Sequence, residues 1–266
     1  MVNCAHFARF ATLIALVMAA ISCRSITAPA AVDRGMASSI PADTLFLAGF
    51  SLDEIRASPL YSKLPPAVGA LAEPLRDAGY LLLASNGKDL FSIVRGRFRE
   101  APAGATLIAP GLAIAGPPES IRAATEQHKT GRSGAPDLLA QAASVAAGKQ
   151  VWMVARGGVT LPFAGNAANL NRLLRNLEYA TMAIALGSRV ELGASGIGRT
   201  AEASREFEEN LRAILSLAAA ANARQPDLVA LIHSIRIRRE DRTVRVTLSG
   251  GLEAAETLFR LVPSAP

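Results

Sequence analysis

The stretch Gly79 to Phe98, GYLLLASNGKDLFSIVRGRF, constrains the fold more than any other. Two β-rich runs flank Asn86-Gly87, the dipeptide best suited to the positive φ angles of a two-residue type I′ turn. This predicts a β-hairpin. Leu81, Leu83, Leu90 and Val94 line one of its faces, and Tyr80, Leu82, Phe91 and Ile93 line the other, so both faces require cover. A weaker version, Glu178 to Ser195 (EYATMAIALGSRVELGAS), turns at Gly187-Ser188.

Each hairpin follows a strand and a helix. In the first half, Asp43 to Phe50 reads as a buried strand, and the capping box Ser51-Leu52-Asp53-Glu54 starts a helix at Leu52. Pro59 and Pro65-Pro66 interrupt it, and Val68, Leu71, Ala72 and Leu75 form the apolar face of a second helical piece. Two short strands, 105–109 and 112–115, and a helix opened by Pro117-Pro118 follow the hairpin. In the second half, Gln150 to Ala155 is a strand, and Leu170, Leu173, Leu174 and Leu177 have helical spacing. Thr200 can cap a long helix with a buried stripe of Phe207, Leu211, Ile214 and Leu215. A short helix after Pro226, a final hairpin from His233 to Ser249 and a C-terminal helix through Leu261 complete the chain.

The resulting expectation is an α+β protein of two tandem strand-helix-hairpin halves, each a ferredoxin-like α+β sandwich with an antiparallel sheet. The domains fall at 40–130 and 149–262, separated by a linker and short helix over 131–148; the linker signal is Thr130 to Pro136 (TGRSGAP). The alternative is one continuous sheet shared by both halves. With 266 residues, half of them hydrophobic, the chain is long enough for two cores. The net charge of +6 is carried by 24 Arg and 4 Lys spread along the sequence. There is no Lys/Arg block, no RNA-binding aromatic signature and no zinc-finger spacing, so a nucleic-acid partner is not expected.

The N-terminus has a short basic segment, Met1 to Arg9, then the apolar run Phe10 to Ile21, closed by Ser22-Cys23. Here the chain resembles bacterial lipoprotein precursors, whose lipobox ends in a small residue and the Cys that is lipidated. Ala20-Ile21-Ser22-Cys23 matches at the small residue and the Cys, with Ala20 where Leu is usual. The resemblance implies a signal peptide over 1–22, lipid attachment at Cys23, a flexible tether over 23–39 and export to the cell envelope. Arg24 stands where such lipoproteins carry the Asp associated with inner-membrane retention, which implies an outer-membrane anchor facing the periplasm. The competing reading is ordinary cleavage after Ala28-Pro29-Ala30, giving a soluble secreted protein. The only cysteines are Cys4 and Cys23, so the folded part offers no thiol for catalysis, zinc ligation or a disulfide.

Several motifs look chemical and have plainer explanations. Gly196-Ile197-Gly198-Arg199-Thr200-Ala201 fits G-x-G-x-x-A, but the strand before it closes a hairpin instead of opening a βαβ unit, so the glycines read as a bulge and a helix start. Ser85-Asn86-Gly87-Lys88 fits S-x-x-K, yet it lies in the hairpin turn. His128 falls on the apolar side of its helix and His233 at the start of the last strand, without metal-ligand spacing. Trp152 reads as a core residue. No cofactor or metal is expected.

The final hairpin is different. With a turn at Glu240-Asp241, Arg236, Arg238 and Arg245 share one sheet face, while Ile235, Ile237, Val244 and Val246 share the other. Arg236 then faces Arg245, and such opposed cations repel unless an anion lies near. Arg95, Arg97 and Arg99 make a second stripe in the first half. One reading is a solvated face balanced by acids such as Glu191; the other is an anion-binding face. The functional expectation is a non-catalytic binding or interaction module, anchored in the membrane by lipid, that takes anionic lipid, glycan or another envelope protein. The alternative is a secreted enzyme, because Asp, Glu, Ser and Arg chemistry leaves no fixed linear signature.

Overall fold

A computed structural model describes residues 31–61, 75–158, 174–251, 253, 254 and 257. The leader, Cys4, Cys23, Val68 to Ala72, Leu170, Leu173 and Leu261 lie outside the described residues. The fold is α+β: a ten-stranded antiparallel sheet with helices against it. The strands are β1 (Phe46–Ser51), β2 (Ala78–Ser85), β3 (Leu90–Gly96), β4 (Ala105–Ala109), β5 (Leu112–Ala115), β6 (Val151–Arg156), β7 (Leu177–Leu186), β8 (Val190–Gly198), β9 (Arg236–Glu240) and β10 (Thr243–Gly250). The described helices are α1 (Arg34–Ala37), α2 (Leu52–Ala57), α3 (Pro118–Lys129), α4 (Pro136–Ala146), α5 (Ala201–Ala221) and α6 (Pro226–Ser234).

The strand order is β4-β5-β3-β2-β1-β6-β7-β8-β10-β9. Counted outward from the centre, both flanks have the same order: a lone strand, a hairpin, then a second hairpin whose later strand lies inside. The first strands of the two halves pair with each other, from Phe46 against Ala155 to Phe50 against Val151. The sheet is therefore continuous. A ferredoxin-like sandwich would place the last strand of a half beside its first, whereas β4, β5, β9 and β10 lie at the outer ends.

Two local expectations change with the turns. The first hairpin closes through four residues, Asn86 to Asp89, because Ser85 pairs with Leu90. Asn86 Oδ1 accepts from the Lys88 and Asp89 amides, and only Gly87 takes a positive φ, so an Asx-type turn replaces the type I′ turn. Helix α2 starts at Leu52 as the capping box predicts, but the Ser51 side chain makes no capping hydrogen bond.

The described parts of the segments expected to be loose, 31–39 and 131–148, are built into the fold. Within the predicted tether, Met36 is 1% exposed and Ser39 is fully buried, and Asp33 caps α1 through the Gly35 and Met36 amides. In the predicted linker, the Gly134 amide donates to Ile40 O, and a Cβ at Gly134 would collide with the Pro41-Ala42 backbone. Apolar residues decide both cases, since Val32, Met36, Ile40 and Ala135 have no other place to be buried.

Register assigns every strand residue to a front or back face. On the front, Leu47, Leu82, Ile93, Ile114, Trp152 and Val154 pack under Met36 of α1, Ala124 of α3 and Leu138 and Ala142 of α4. On the back, Phe46, Ala48 and Ala155 meet Leu174, Leu177 and Phe207 of α5, while Leu228 and Leu231 of α6 cover Leu248. The predicted core role of Trp152 holds, at 2% exposure. Its Nε1 donates to Tyr80 Oη at 2.7 Å, and Tyr80 donates to Ala31 O, so the polar edge of the ring pair is satisfied. Burial pushes the Tyr80 hydroxyl up to about 12. Gly49 pairs with Trp152 and lies beneath both rings.

Ion pairs tie helices to this face. Arg156 donates twice to Asp137 of α4 at 2.7 and 2.9 Å, and Tyr179 Oη donates to the same carboxylate at 2.9 Å. The Arg156 hydrogen bonds hold Asp137 at about 2, against burial, with Tyr179 assisting.

Candidate cationic site

The last hairpin turns at Asp241-Arg242, one residue later than the sequence suggests, with Asp241 at φ 50°. Asp is among the few residues that take the left-handed region readily. The shift preserves the faces but changes the partners. Arg238 lies opposite Arg245 and Arg236 opposite Thr247, while Ile237 opposes Val246 on the other side. Arg236, Arg238 and Arg245 therefore do share the front face, and all three are exposed.

Opposed arginines about 5 Å apart at Cβ repel. Glu240, next along the same face, takes Arg245 at 2.7 Å and leaves Arg238 and Arg236 without a side-chain partner among the described residues. Pairing of β10 with β8 extends the face inward through Ser195, Gly193 and Glu191. A Cβ at Gly193 would meet nothing within 4 Å, which marks the front of β8 as open.

At the β9 start this face borders a cavity of about 640 Å³ lined by Lys149, Arg189, Glu191, His233, Arg236 and Ser249 among others. Lys149 reaches Glu191 only at 3.5 Å, and Arg189 has no ion-pair partner among the described residues. Three cations, one carboxylate and the hydroxyls of Ser234, Thr247 and Ser249 converge there. Such a set can hold a phosphate or carboxylate by charge-assisted hydrogen bonds, with hydroxyls addressing a sugar or glycerol portion. Lys149, Arg189 and the hydroxyls were not singled out by sequence reasoning. The pairings of β6 with β7, β7 with β8 and β8 with β10 gather them, and the last joins strands separated by two helices in sequence.

The first-half stripe does not join this site. Arg95 donates to both oxygens of Asp33, at 2.7 and 2.9 Å, and so fastens α1 to β3. Burial raises the Asp33 carboxyl, but the Arg95 and backbone hydrogen bonds outweigh it and leave it below its ordinary value. Arg97 is exposed just beyond β3, and six strand spacings, about 29 Å, separate β3 from β10.

The other motifs settle into structural roles. Gly196 lies under Phe207 and Gly198 under Ser204, so the glycines admit α5 close to β8, and Thr200 caps α5 through the Ala203 amide. His128 Nδ1 lies 3.0 Å from both Ser38 Oγ and Ser39 Oγ, joining α3 to the end of α1. His233 ends α6 instead of starting β9. Among the described residues no group of three or more His, Cys, Asp or Glu side chains could hold a metal ion. Nor is any described helix long and apolar enough to cross a membrane.

No family model and no curated protein matches the chain. The fold is similar to that of TP0453. Against its crystal form III the TM-score is 0.52 at 10% identity, covering 86% of this chain and 99% of that one. Against crystal form I the TM-score is 0.49 at 9% identity, covering 85% and 96%.

Proposed function

We propose that this chain is an exported, lipid-anchored binding module of the cell envelope, acylated at Cys23, that holds an anionic envelope component on the open front face of β8, β10 and β9. The observation that carries the ligand reading is the pair of guanidinium groups without an ion-pair partner among the described residues, Arg189 and Arg236, that line a cavity rich in hydroxyls, with Arg238 beside them on the same sheet face. The repeated strand order supports reading the two halves as copies of one unit. In the first copy helices cover the front face, whereas the outer strands of the second leave it exposed. The first half then serves as scaffold and the second as binding surface. The lipobox-like leader supports an anchor that would hold this face near phosphate-bearing and carboxylate-bearing components.

The test is cosedimentation of the full chain with vesicles of anionic or neutral phospholipid and with immobilised acidic glycan, at low and high salt. Wild type binds the anionic surfaces and releases them as salt rises, because exposed charge pairs are screened within a Debye length of about 10 Å at 0.1 M. Arg189→Ala with Arg236→Ala loses most of the binding. Equal retention of wild type and the double variant refutes the ligand reading. Fractionation of producing cells with wild type and Cys23→Ala tests the anchor separately, and an unchanged membrane share refutes it.

A further inference from the structure

Helix α5 presents a second apolar stripe on its outer side. Its inner stripe, Ser204, Phe207, Leu211 and Leu215, faces the sheet and is buried or half-buried. Beside it Ile214, which the sequence places in the buried stripe, is 42% exposed and Leu217 69%, among the most exposed large apolar side chains described. Asn210, Ile214, Leu217 and Ala221 follow one another at intervals of four, three and four, the a/d spacing of a helix seam that packs on another helix.

We infer that this seam is the contact between two copies of the chain, with their α5 helices antiparallel. A two-fold axis beside the centre of the seam sets Ile214 against Leu217 of the partner subunit and Leu217 against Ile214 of the partner subunit. It sets Asn210 against Ala221 of the partner subunit, where the small side chain permits close approach. Both exposed apolar residues are covered by the one operation, and the surface is self-complementary, as a two-fold interface demands.

Charge selects the antiparallel direction. Glu202, Glu206 and Glu209 are exposed in the N-terminal half of α5, whose first turn also carries the positive end of the helix dipole. Arg224, in the turn beyond the C-terminal end, is exposed and unpaired among the described residues. Antiparallel packing brings Arg224 of each copy to Glu206 of the partner subunit, twice, whereas parallel packing would oppose glutamates and align the dipoles. Glu206 is open to this, having only a long 3.5 Å contact from Asn176. One helix face per copy buries less than the roughly 1,600 Å² of a standard interface, so the dimer is weak and depends on concentration.

Sedimentation velocity of the full chain over a wide concentration range tests it. Wild type shifts from monomer towards dimer, and Leu217→Glu weakens association by at least about ten-fold, as loss of a central anchor does. Circular dichroism of that variant is unchanged, because the side chain is exposed in the monomer. Arg224→Glu also weakens association, and adding Glu206→Arg in the same chain restores it. A wild-type monomer at every concentration overturns the inference, as does association unaffected by Leu217→Glu or a charge swap that fails to restore. Binding of neutral vesicles that Leu217→Glu abolishes while the mass distribution stays unchanged would assign the stripe to a lipid surface and overturn it equally.

Discussion

Gly49→Ala is the sharpest test of how the front core is packed. The Cβ would lie inside contact distance of Trp152 Cε2, Trp152 Nε1 and Tyr80 Oη, in a pocket where Trp152 is 2% exposed. Overpacking of a well-filled core costs about 1–3 kcal/mol. Displacing the rings also disturbs the 2.7 Å bond from Trp152 Nε1 to Tyr80 Oη, worth about 0.5–1.5 kcal/mol net. Against this, replacing glycine at an accessible φ returns about 0.4–1 kcal/mol by restricting the unfolded chain. The expected net loss is about 2 kcal/mol, within a range of about 0.5–4, the central value being equivalent to a Tm lowered by roughly 4–8 °C for a body of this size. Trp152 is the only tryptophan, so its fluorescence reports on the site during thermal unfolding. Gly193→Ala is the control, since it too lies on an interior strand but faces open space, and it should be neutral or slightly stabilising. If Gly49→Ala unfolds within about 0.5 kcal/mol of wild type, or no differently from Gly193→Ala, the packing argument is wrong.

Asp137 supplies a pH prediction. Its folded value of about 2 lies below the ordinary 3.8, so its contribution to stability is fully present above the ordinary value and is lost as pH falls towards 2. Asp137→Asn should flatten acid unfolding between pH 4 and about 2, by less than an unscreened pair would, because the side chain is 37% exposed. An acid titration of stability identical to wild type would contradict this. The pairing of β1 with β6 predicts one cooperative unfolding transition and no protease-resistant half released by cleavage at Thr130 to Pro136. Two resolved calorimetric transitions would refute it.

Local chemistry made much of this protein readable in advance. The alternation in Gly79 to Phe98 determines a hairpin, although only its front face is fully covered and Leu90 on the back is 42% exposed; Thr200 determines where α5 begins, and the parity of Arg236, Arg238 and Arg245 determines that they share a face even though the turn lies one residue later. These are properties of periods of 2 and 3.6 and of individual caps, which neighbours in sequence suffice to specify. Pairings between distant segments were settled only by tertiary packing. The alternation of β1 and β6 says that each needs partners but not that they partner each other, so the choice between two domains and one sheet rests on burial that no local window contains. Arg95 reads like Arg236 in sequence, yet Asp33, 62 residues earlier, neutralises one and nothing among the described residues neutralises the other. The same holds for Lys149, Arg189 and Ser249, which become a site only because β6, β7, β8 and β10 lie side by side, and the electrostatic character of a side chain depends on which charges the fold brings within a few ångströms of it.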